Sequence, residues 1–173
     1  MKLKFTFFEL LRCAPLLYEL LFLNMYFIQN DSIYIKFIFI KTINLFLNKI
    51  FKEISRKIFK CFGTSKNNVD YLPFLGRGHR PDGAKNCGIF NDCSSKLSKS
   101  YGFPSGHAQS AACIFVLMST LIKNPYHKLF ILIFTIMISL ARIYENCHTI
   151  QQIIGGYTLG YFITKKLLTY RIF

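Results

Sequence analysis

Apolar runs separated by short polar breaks dominate the chain, and their lengths predict helices that cross a membrane. An imperfect first run predicts a spanning helix from Cys13 to Ile28, and Asp31–Ser32 then forms a tight connection. Later runs predict three more spanning helices, over Gly106–Ile122, Lys128–Tyr144 and Thr149–Leu168. In the last of these, Gly156 and Gly160 have the GxxxG spacing that allows close contact between two helices.

The region from Ile33 to about Phe62 has the pattern of an amphipathic helix. Its polar positions recur every three or four residues, at Lys41, Asn44, Asn48, Lys52 and Ser55. One interpretation is a polar face turned toward the bundle or the mouth of a substrate site. The other, which we favour from the sequence, is a helix that spans near its start and then emerges among lipid headgroups. The basic residues near its end (Lys52, Arg56, Lys57 and Lys60) are then a solvated or lipid-contacting end rather than catalytic groups.

The segment from Gly63 to Phe103 is the one long polar stretch and has no strong periodicity, so we expect a loop. A connection of this length inside a compact domain is usually functional. Cys87 and Cys93 are candidates for a disulfide in an oxidising compartment, and the other four cysteines are interpreted as scattered thiols. His79 and Asp82 are interpreted as loop surface.

Composition supports a membrane protein. The chain has 173 residues, enough for a single domain over 1–173, with helices in 1–62 and a motif-bearing core at about 71–168. It is 52% hydrophobic and carries a formal net charge of +14. A soluble nucleic-acid-binding protein would gather such charge on a polar domain, whereas basic connectors between apolar spans suit a bilayer. We therefore predict an all-α integral membrane bundle of about five spanning helices, with one long polar loop carrying active-site residues.

Candidate chemistry begins at the stretch Gly102–Ser110, which opens directly onto an apolar run. Ser105 can cap a helix there, and Gly106 allows backbone N–H groups to approach an anion closely. His107 follows in the first turn and can give or take a proton near neutral pH. The pattern predicts a phosphate-sized anion site at a helix N-terminus, with an ordinary helix start and an incidental histidine as the alternative.

Two other segments strengthen this prediction. Arg80 precedes a proline in the polar segment, while Arg142 is followed six residues later by His148 and then by Gln152. Arginines offer forked donors to phosphate oxygens, and the spacing of His148 and Gln152 places both on one helix face. Two predicted spans separate the polar segment from the Arg142–His148 turn, so both lie on the same side of the membrane.

The three segments together resemble the signature of the type 2 phosphatidic acid phosphatase (PAP2) superfamily, which also contains the vanadium haloperoxidases. That signature reads Lys, six residues, Arg-Pro; then Pro-Ser-Gly-His; then Ser-Arg, five residues, His, three residues, Asp. The order and the spacings match here over roughly Arg77–Gln152.

Three positions depart from the signature. Pro73 stands at the lysine position, Ala141 at the serine and Gln152 at the aspartate, with Arg77 the nearest substitute for the missing cation. Glutamine four residues after the histidine is similar to dolichyl-diphosphatase-like members, as is the Gln109 that follows His107. The resemblance implies a lipid-phosphate or polyprenyl-diphosphate substrate in a bilayer.

The resemblance also implies a mechanism. His148 attacks phosphorus and forms a phosphohistidine, His107 protonates the leaving oxygen, and Gln152 orients His148. The phosphate oxygens are held by Arg80, Ser105, Gly106 and Arg142 and, as a substitute cation, Arg77. No metal, other cofactor or nucleic acid is implied. The alternatives are a non-catalytic protein that binds lipid headgroups, a vanadate-dependent peroxidase and a purely structural membrane protein. Membrane face, oligomeric state and the lipid itself stay open.

Overall fold

Five α-helices form the body of the protein in a computed structural model that describes residues 7–66, 69–85, 87–88 and 100–170. They are α1 (Phe7–Gln29), α2 (Ser32–Phe62), α3 (Gly106–Leu121), α4 (Pro125–Tyr144) and α5 (Ile150–Thr169). α1 begins before the expected Cys13 and continues through Pro15. α4 begins at Pro125, before the expected Lys128, because proline is tolerated at a first helical position where its missing N–H has no partner anyway.

A small antiparallel sheet lies in the polar segment that was expected to be a loop. Its strands are β1 (Thr64–Lys66), β2 (Val69–Leu72) and β3 (Gly76–Arg77), in the order β1-β2-β3. Phe74 and Gly76 have positive φ angles (65° and 72°), which turn the chain between β2 and β3. The prediction of an all-α fold therefore needs this correction. Strands of two to four residues are too short to show an alternating pattern in the sequence.

Helix α3 is the centre of the bundle and contacts each of the other four helices. It is rich in small residues, and Ala108, Ala111 and Ala112 are fully buried. Small side chains let neighbouring helices approach closely, so α3 is surrounded on several sides. Its N-terminus consequently lies where several elements meet.

The GxxxG pair of α5 packs directly on α3, which confirms the predicted close contact. A Cβ atom on Gly156 would lie 2.3 Å from the backbone oxygen of Ser105, and one on Gly160 would lie 2.2 Å from the backbone oxygen of Gln109. These distances are far below any real carbon–oxygen contact. The close approach places the start of α5 beside the start of α3.

Replacing Gly160 by alanine should push α5 away from α3, because the atom it meets is backbone and cannot move aside. We expect a loss of about 1–3 kcal/mol of stability, the usual cost of overpacking. Thermal unfolding in detergent measures it, with Thr158→Ala on the exposed face of α5 as the matched control. An unfolding midpoint unchanged from wild type would contradict the packing described here.

The polar stripe of α2 faces inward along much of its length. Lys41 is fully buried and pairs with Glu19 of α1. Asn48 donates to Gln109 Oε1 of α3 (2.7 Å), and Asn44 donates to Thr164 Oγ1 of α5 (2.8 Å). The interpretation that we favoured from the sequence is thus wrong for this part of α2, which supplies polar contacts to the bundle interior.

Two helices, α1 and α4, are long and apolar enough to cross a membrane. Helix α3 is apolar but has only 16 residues, and α2 carries its polar stripe. Large apolar side chains on α4 are exposed, Phe130 to 66% and Ile133 to 50%, as expected for a surface that meets lipid. Among the described residues, α1 and α4 are thus the two of the five expected spans that have the length and composition of a membrane-crossing helix.

Candidate active site

The three motif segments meet around His148. Arg80 Nη1 lies 3.0 Å from His148 Nε2 and donates to the backbone oxygen of Cys147 (2.9 Å). On the other side of the ring, His148 Nδ1 lies 3.0 Å from Gln152 Oε1. The structure therefore brings Arg80, His148 and Gln152 into one hydrogen-bonded array, although Arg80 and His148 are 68 residues apart in the sequence.

A tight turn after α4 positions His148. Asn146 adopts a left-handed conformation (φ 53°), which asparagine tolerates better than most residues. The N–H groups of Cys147 and His148 then both donate to the backbone oxygen of Arg142 (2.9 and 3.2 Å). Thr149 caps α5 immediately afterwards. The turn and the cap together hold the imidazole at the start of α5.

Gln152 joins the histidine to the segment that carries Arg80. Its Oε1 accepts from Thr149 N–H (3.2 Å) as well as facing His148. Its Nε2 donates to the backbone oxygens of Arg77 (2.8 Å) and His79 (2.7 Å). An aspartate could not make these two donations, since an ionised carboxylate only accepts. The amide therefore has a structural use that explains why glutamine suits this chain.

The hydrogen bonds of His148 define which ring nitrogen carries the proton. Because Gln152 Oε1 only accepts, Nδ1 carries the proton and Nε2 presents a lone pair. Burial lowers the pKa of His148 well below its ordinary value, and the charges of Arg80 and of Lys52 in α2 lower it further. The imidazole is therefore neutral at pH 7, as a nucleophile must be.

Arg80 is held rigidly beside this atom. Its Nη2 donates to Ser100 Oγ (2.7 Å), and its Nε lies 3.1 Å from both the Oγ and the backbone oxygen of Ser100. Burial lowers the pKa of Arg80 to about 10, with a further contribution from Arg142. The guanidinium stays charged at pH 7 and is oriented to meet an anion at His148.

The N-terminus of α3 borders the same region. Ser105 is fully buried and caps the helix by accepting from Ala108 N–H (3.4 Å). The first two N–H groups of α3, on Gly106 and His107, have no acceptor among the described residues. The ring of His107 bonds to the backbone of Arg12, and its buried Nε2 has no partner in the described part of the chain. A small cavity of about 140 Å³ adjoins Gly106 and His107. This is the unpaired donor set that an anion requires.

Arg142 is fully buried, but its charge is partly engaged. It pairs with Glu145 and donates from Nη2 to the backbone oxygen of Cys87 (3.1 Å). Its Nε is buried and makes no hydrogen bond to any described residue. The Nε–H of Arg142 is thus available to a phosphate oxygen. Glu145 also lies close to α1, since Glu145 Oε1 is 3.9 Å from Arg12 Nη1.

Arg77 departs from its expected role as the substitute cation. Its guanidinium forms a two-armed ion pair with Asp82, so its charge is already balanced. The pairing lowers the pKa of Asp82. His79 was expected on the loop surface. Its Nε2 lies 3.1 Å from Asp70 Oδ2, and its ring packs edge-on against Tyr101.

Cys87 forms a disulfide with Cys147, not with Cys93. The expectation that Cys147 is a scattered thiol is therefore wrong, and Cys93 itself lies outside the described residues. The bond ties the segment that carries Arg80 to the residue preceding His148. The sequence could not indicate this pairing, because the two cysteines are 60 residues apart.

Sequence reasoning missed several residues around the site. Glu145 lies three positions after Arg142, a spacing that favours an ion pair and could have signalled it. Arg12 lay just before the expected spanning helix, which began at Cys13, and Lys52 lay in a stretch interpreted as a solvated helix end, so no local signal identified them. Within the described residues, no group of three His, Cys, Asp or Glu side chains is placed to hold a metal ion. The donors around His148 are cationic and suit an anion.

Replacing Gln152 by alanine should free the His148 ring and release two backbone oxygens of the Arg80 segment. We expect turnover to fall about 100-fold, less than in triads whose orienting group is charged. The measurement is kcat for phosphate release, with exposed Gln151→Ala on the same helix turn as control. Wild-type kcat in Gln152→Ala would show that this amide does not orient His148.

Comparison with known proteins agrees with this arrangement. A family model described as PAP2 superfamily matches residues 34–173. Phosphatidylglycerophosphatase B of Bacillus subtilis (strain 168) is 32% identical over 78 residues, which cover 38% of this chain and 38% of that protein. No solved structure matches the chain. Because the family model covers most of the chain and includes Arg80, His107 and His148, the chain belongs to the PAP2 superfamily.

Proposed function

We propose that this protein is a membrane-embedded lipid phosphatase that hydrolyses a phosphate or diphosphate headgroup through a phosphohistidine. The observation that carries the proposal is the array of Arg80, His148 and Gln152, which lies beside the unpaired N–H groups that begin α3. A neutral imidazole with a fixed tautomer faces a cluster of cationic donors. Phosphoryl transfer needs little more than such positioning and charge stabilisation.

The reaction proceeds in two displacements. His148 Nε2 forms a bond to phosphorus while the bond from phosphorus to the leaving oxygen breaks, and His107 Nε2 donates a proton to that oxygen. Water then attacks the phosphohistidine, His107 takes a proton from it, and the phosphorus–nitrogen bond breaks to release phosphate. Arg80, Arg142 Nε–H and the α3 N–H groups hold the equatorial oxygens throughout.

The bound phosphate also prepares His107 for its acid role. Burial of this imidazole, and then the positive charges of Arg142, Arg80 and Lys52, oppose its protonation in an empty site. A phosphate dianion offsets these charges, so His107 gains its proton as substrate binds. His107 therefore acquires the proton that it donates when phosphate binds in the site.

Three observations support the proposed class of substrate. The family match and the similarity to a phosphatidylglycerophosphatase favour a lipid phosphate. The Gln152 position resembles dolichyl-diphosphatase-like members and favours a polyprenyl diphosphate within that class. The apolar exposed faces of α1 and α4 suit a multi-pass protein that receives its substrate from the bilayer.

A non-catalytic headgroup-binding protein is the second candidate, favoured by the ion pairs that engage Arg77 and Arg142. Phosphate release from phosphatidate, phosphatidylglycerophosphate, a prenyl diphosphate and a soluble ester separates the two. The catalytic proposal expects release from at least one lipid substrate. Binding of these lipids without release from any of them would support the second candidate and overturn the first.

A further inference from the structure

One face of α2 runs along the site and carries Lys52. Asn48 lies against the start of α3, since a Cβ atom on Gly106 would be 3.0 Å from Asn48 Oδ1. Further along the same face, Phe59 packs on Tyr101 and Phe103. Lys52 is one helical turn beyond Asn48, so its side chain projects from the same face. The side chain is half-buried and lines a cavity of about 580 Å³ together with His79 and Ser100.

This cavity adjoins the catalytic array. Ser100, which lines it, is the residue that holds the guanidinium of Arg80. The positive charge of Lys52 opposes protonation of His148, which neighbours Arg80, and also of His107. Because Lys52 lines the cavity and lies one helical turn from Asn48, which adjoins Gly106, it is positioned between this cavity and the start of α3.

The charge of Lys52 is not balanced by the protein. Lys52 forms no ion pair or hydrogen bond with any residue in the described ranges. Its sequence neighbour Glu53 also lines the cavity, but Glu53 Oε2 lies 3.6 Å from Arg56 Nη1 instead. A half-buried cation among other cations is unfavourable unless an anion occupies the space between them.

The pKa of Lys52 agrees with the lack of a balancing negative charge. Burial, and then the nearby charge of Arg80, lower the pKa of Lys52 to about 8. Because the pKa is lowered, the ammonium form is present below about pH 8 and is lost above it. A bound phosphate dianion would favour the charged form, and Lys52 would in turn favour phosphate binding.

We propose that Lys52 is a phosphate-binding residue, which contacts a non-bridging oxygen of the phosphate that His148 attacks. This inference rests on the proposed function. It revises our interpretation of Lys52 as part of a solvated helix end. It also supplies the cation that is missing at Pro73, which lies in the turn between β2 and β3, and that Arg77 does not supply because it pairs with Asp82. The cation thus comes from a different element, α2.

The test uses the full chain, purified in uncharged detergent without anionic lipid. Lys52→Met keeps the length of the side chain and removes its charge, while Lys52→Arg keeps the charge. Lys57→Met, at an exposed position of α2 that does not line the cavity, removes one charge from the same helix as the matched control. The readouts are kcat/KM for a short-chain phosphate monoester, inhibition by inorganic phosphate, and the unfolding temperature.

For Lys52→Met we expect kcat/KM to fall about 100-fold, the typical effect of removing one donor to a transferring group. The inhibition constant for inorganic phosphate should rise at least about tenfold, with partial recovery in Lys52→Arg. Lys57→Met should resemble wild type. The wild-type kcat/KM should also decline above about pH 8, and this decline should move to higher pH in Lys52→Arg.

Three results distinguish a failure of this proposal from a failure of the proposed function. If wild type hydrolyses the ester and Lys52→Met matches it in both kcat/KM and phosphate inhibition, Lys52 does not bind the phosphate. If Lys57→Met loses as much as Lys52→Met, a general surface charge acts and the proposal is likewise overturned. If wild type releases no phosphate from any substrate, the proposed function fails, and Lys52 is judged by direct binding of inorganic phosphate to the same variants.

Discussion

Replacing His148 by alanine is expected to abolish phosphate release, with a loss of at least about 10⁴-fold in kcat. The reason is chemical, because the Nε2 lone pair that faces Arg80 is the atom proposed to bond to phosphorus. The surrounding cations would survive the substitution and could still bind phosphate. The variant should therefore retain inhibitor binding while losing turnover, a separation measurable by steady-state kinetics beside binding of inorganic phosphate.

The covalent intermediate provides a sharper readout than rate alone. Acid quenching during turnover of a labelled substrate should trap an acid-labile phosphate on wild type and none on His148→Ala. His127→Ala, at the exposed start of α4 and far along that helix from Arg142, is the matched histidine control. Retention of label or of wild-type kcat by His148→Ala would show that another group is the nucleophile.

Replacing Arg80 by methionine should produce the second-largest effect, a fall of about 10²- to 10³-fold in kcat/KM. Arg80 donates at once to Ser100 and to the backbone oxygen of Cys147, so its fork is oriented before substrate arrives. Lysine has the positive charge but not the paired N–H donors of the planar guanidinium. Arg80→Lys should therefore recover only part of the loss in kcat/KM. The measurement is kcat/KM on the preferred lipid substrate.

Removal of Arg80 also removes hydrogen bonds, so its stability must be measured beside its activity. The unfolding temperature of Arg80→Lys should remain near that of wild type, since one donor and the charge are kept. Lys123→Met, in the exposed connection after α3, controls for loss of one positive charge. Equal kcat/KM in Arg80→Met and wild type would exclude Arg80 from phosphate binding.

Local spacing was sufficient to predict individual contacts at the candidate site. Ser105 and Gly106 act at the start of a helix, and the four-residue separation of His148 and Gln152 produces the expected contact between them. The number of helices and the close contact at Gly156 follow from apolar run length and residue size. These features depend on residues a turn or less apart, or on a single helix, and are therefore visible in a linear pattern.

The charge balance of the site was decided by tertiary structure. Asp82 neutralises Arg77 and Glu145 engages Arg142, while Lys52 is left without a partner among the described residues. The linear sequence presents all of these as similar charges. Which cation remains free for an anion depends on the folded position of each carboxylate, and burial sets how strongly each charge is felt.

Composition, apolar run lengths and motif order were enough to predict a helical membrane-type protein and an anion site at a helix N-terminus, because each of these is a property of a short stretch of chain. Only the fold could decide that Cys87 bonds to Cys147, that the polar stripe of α2 turns inward, and that Lys52 stands beside the site. Those outcomes join residues separated by tens of positions. Their contacts are set by how the helices pack around α3, which no local pattern encodes.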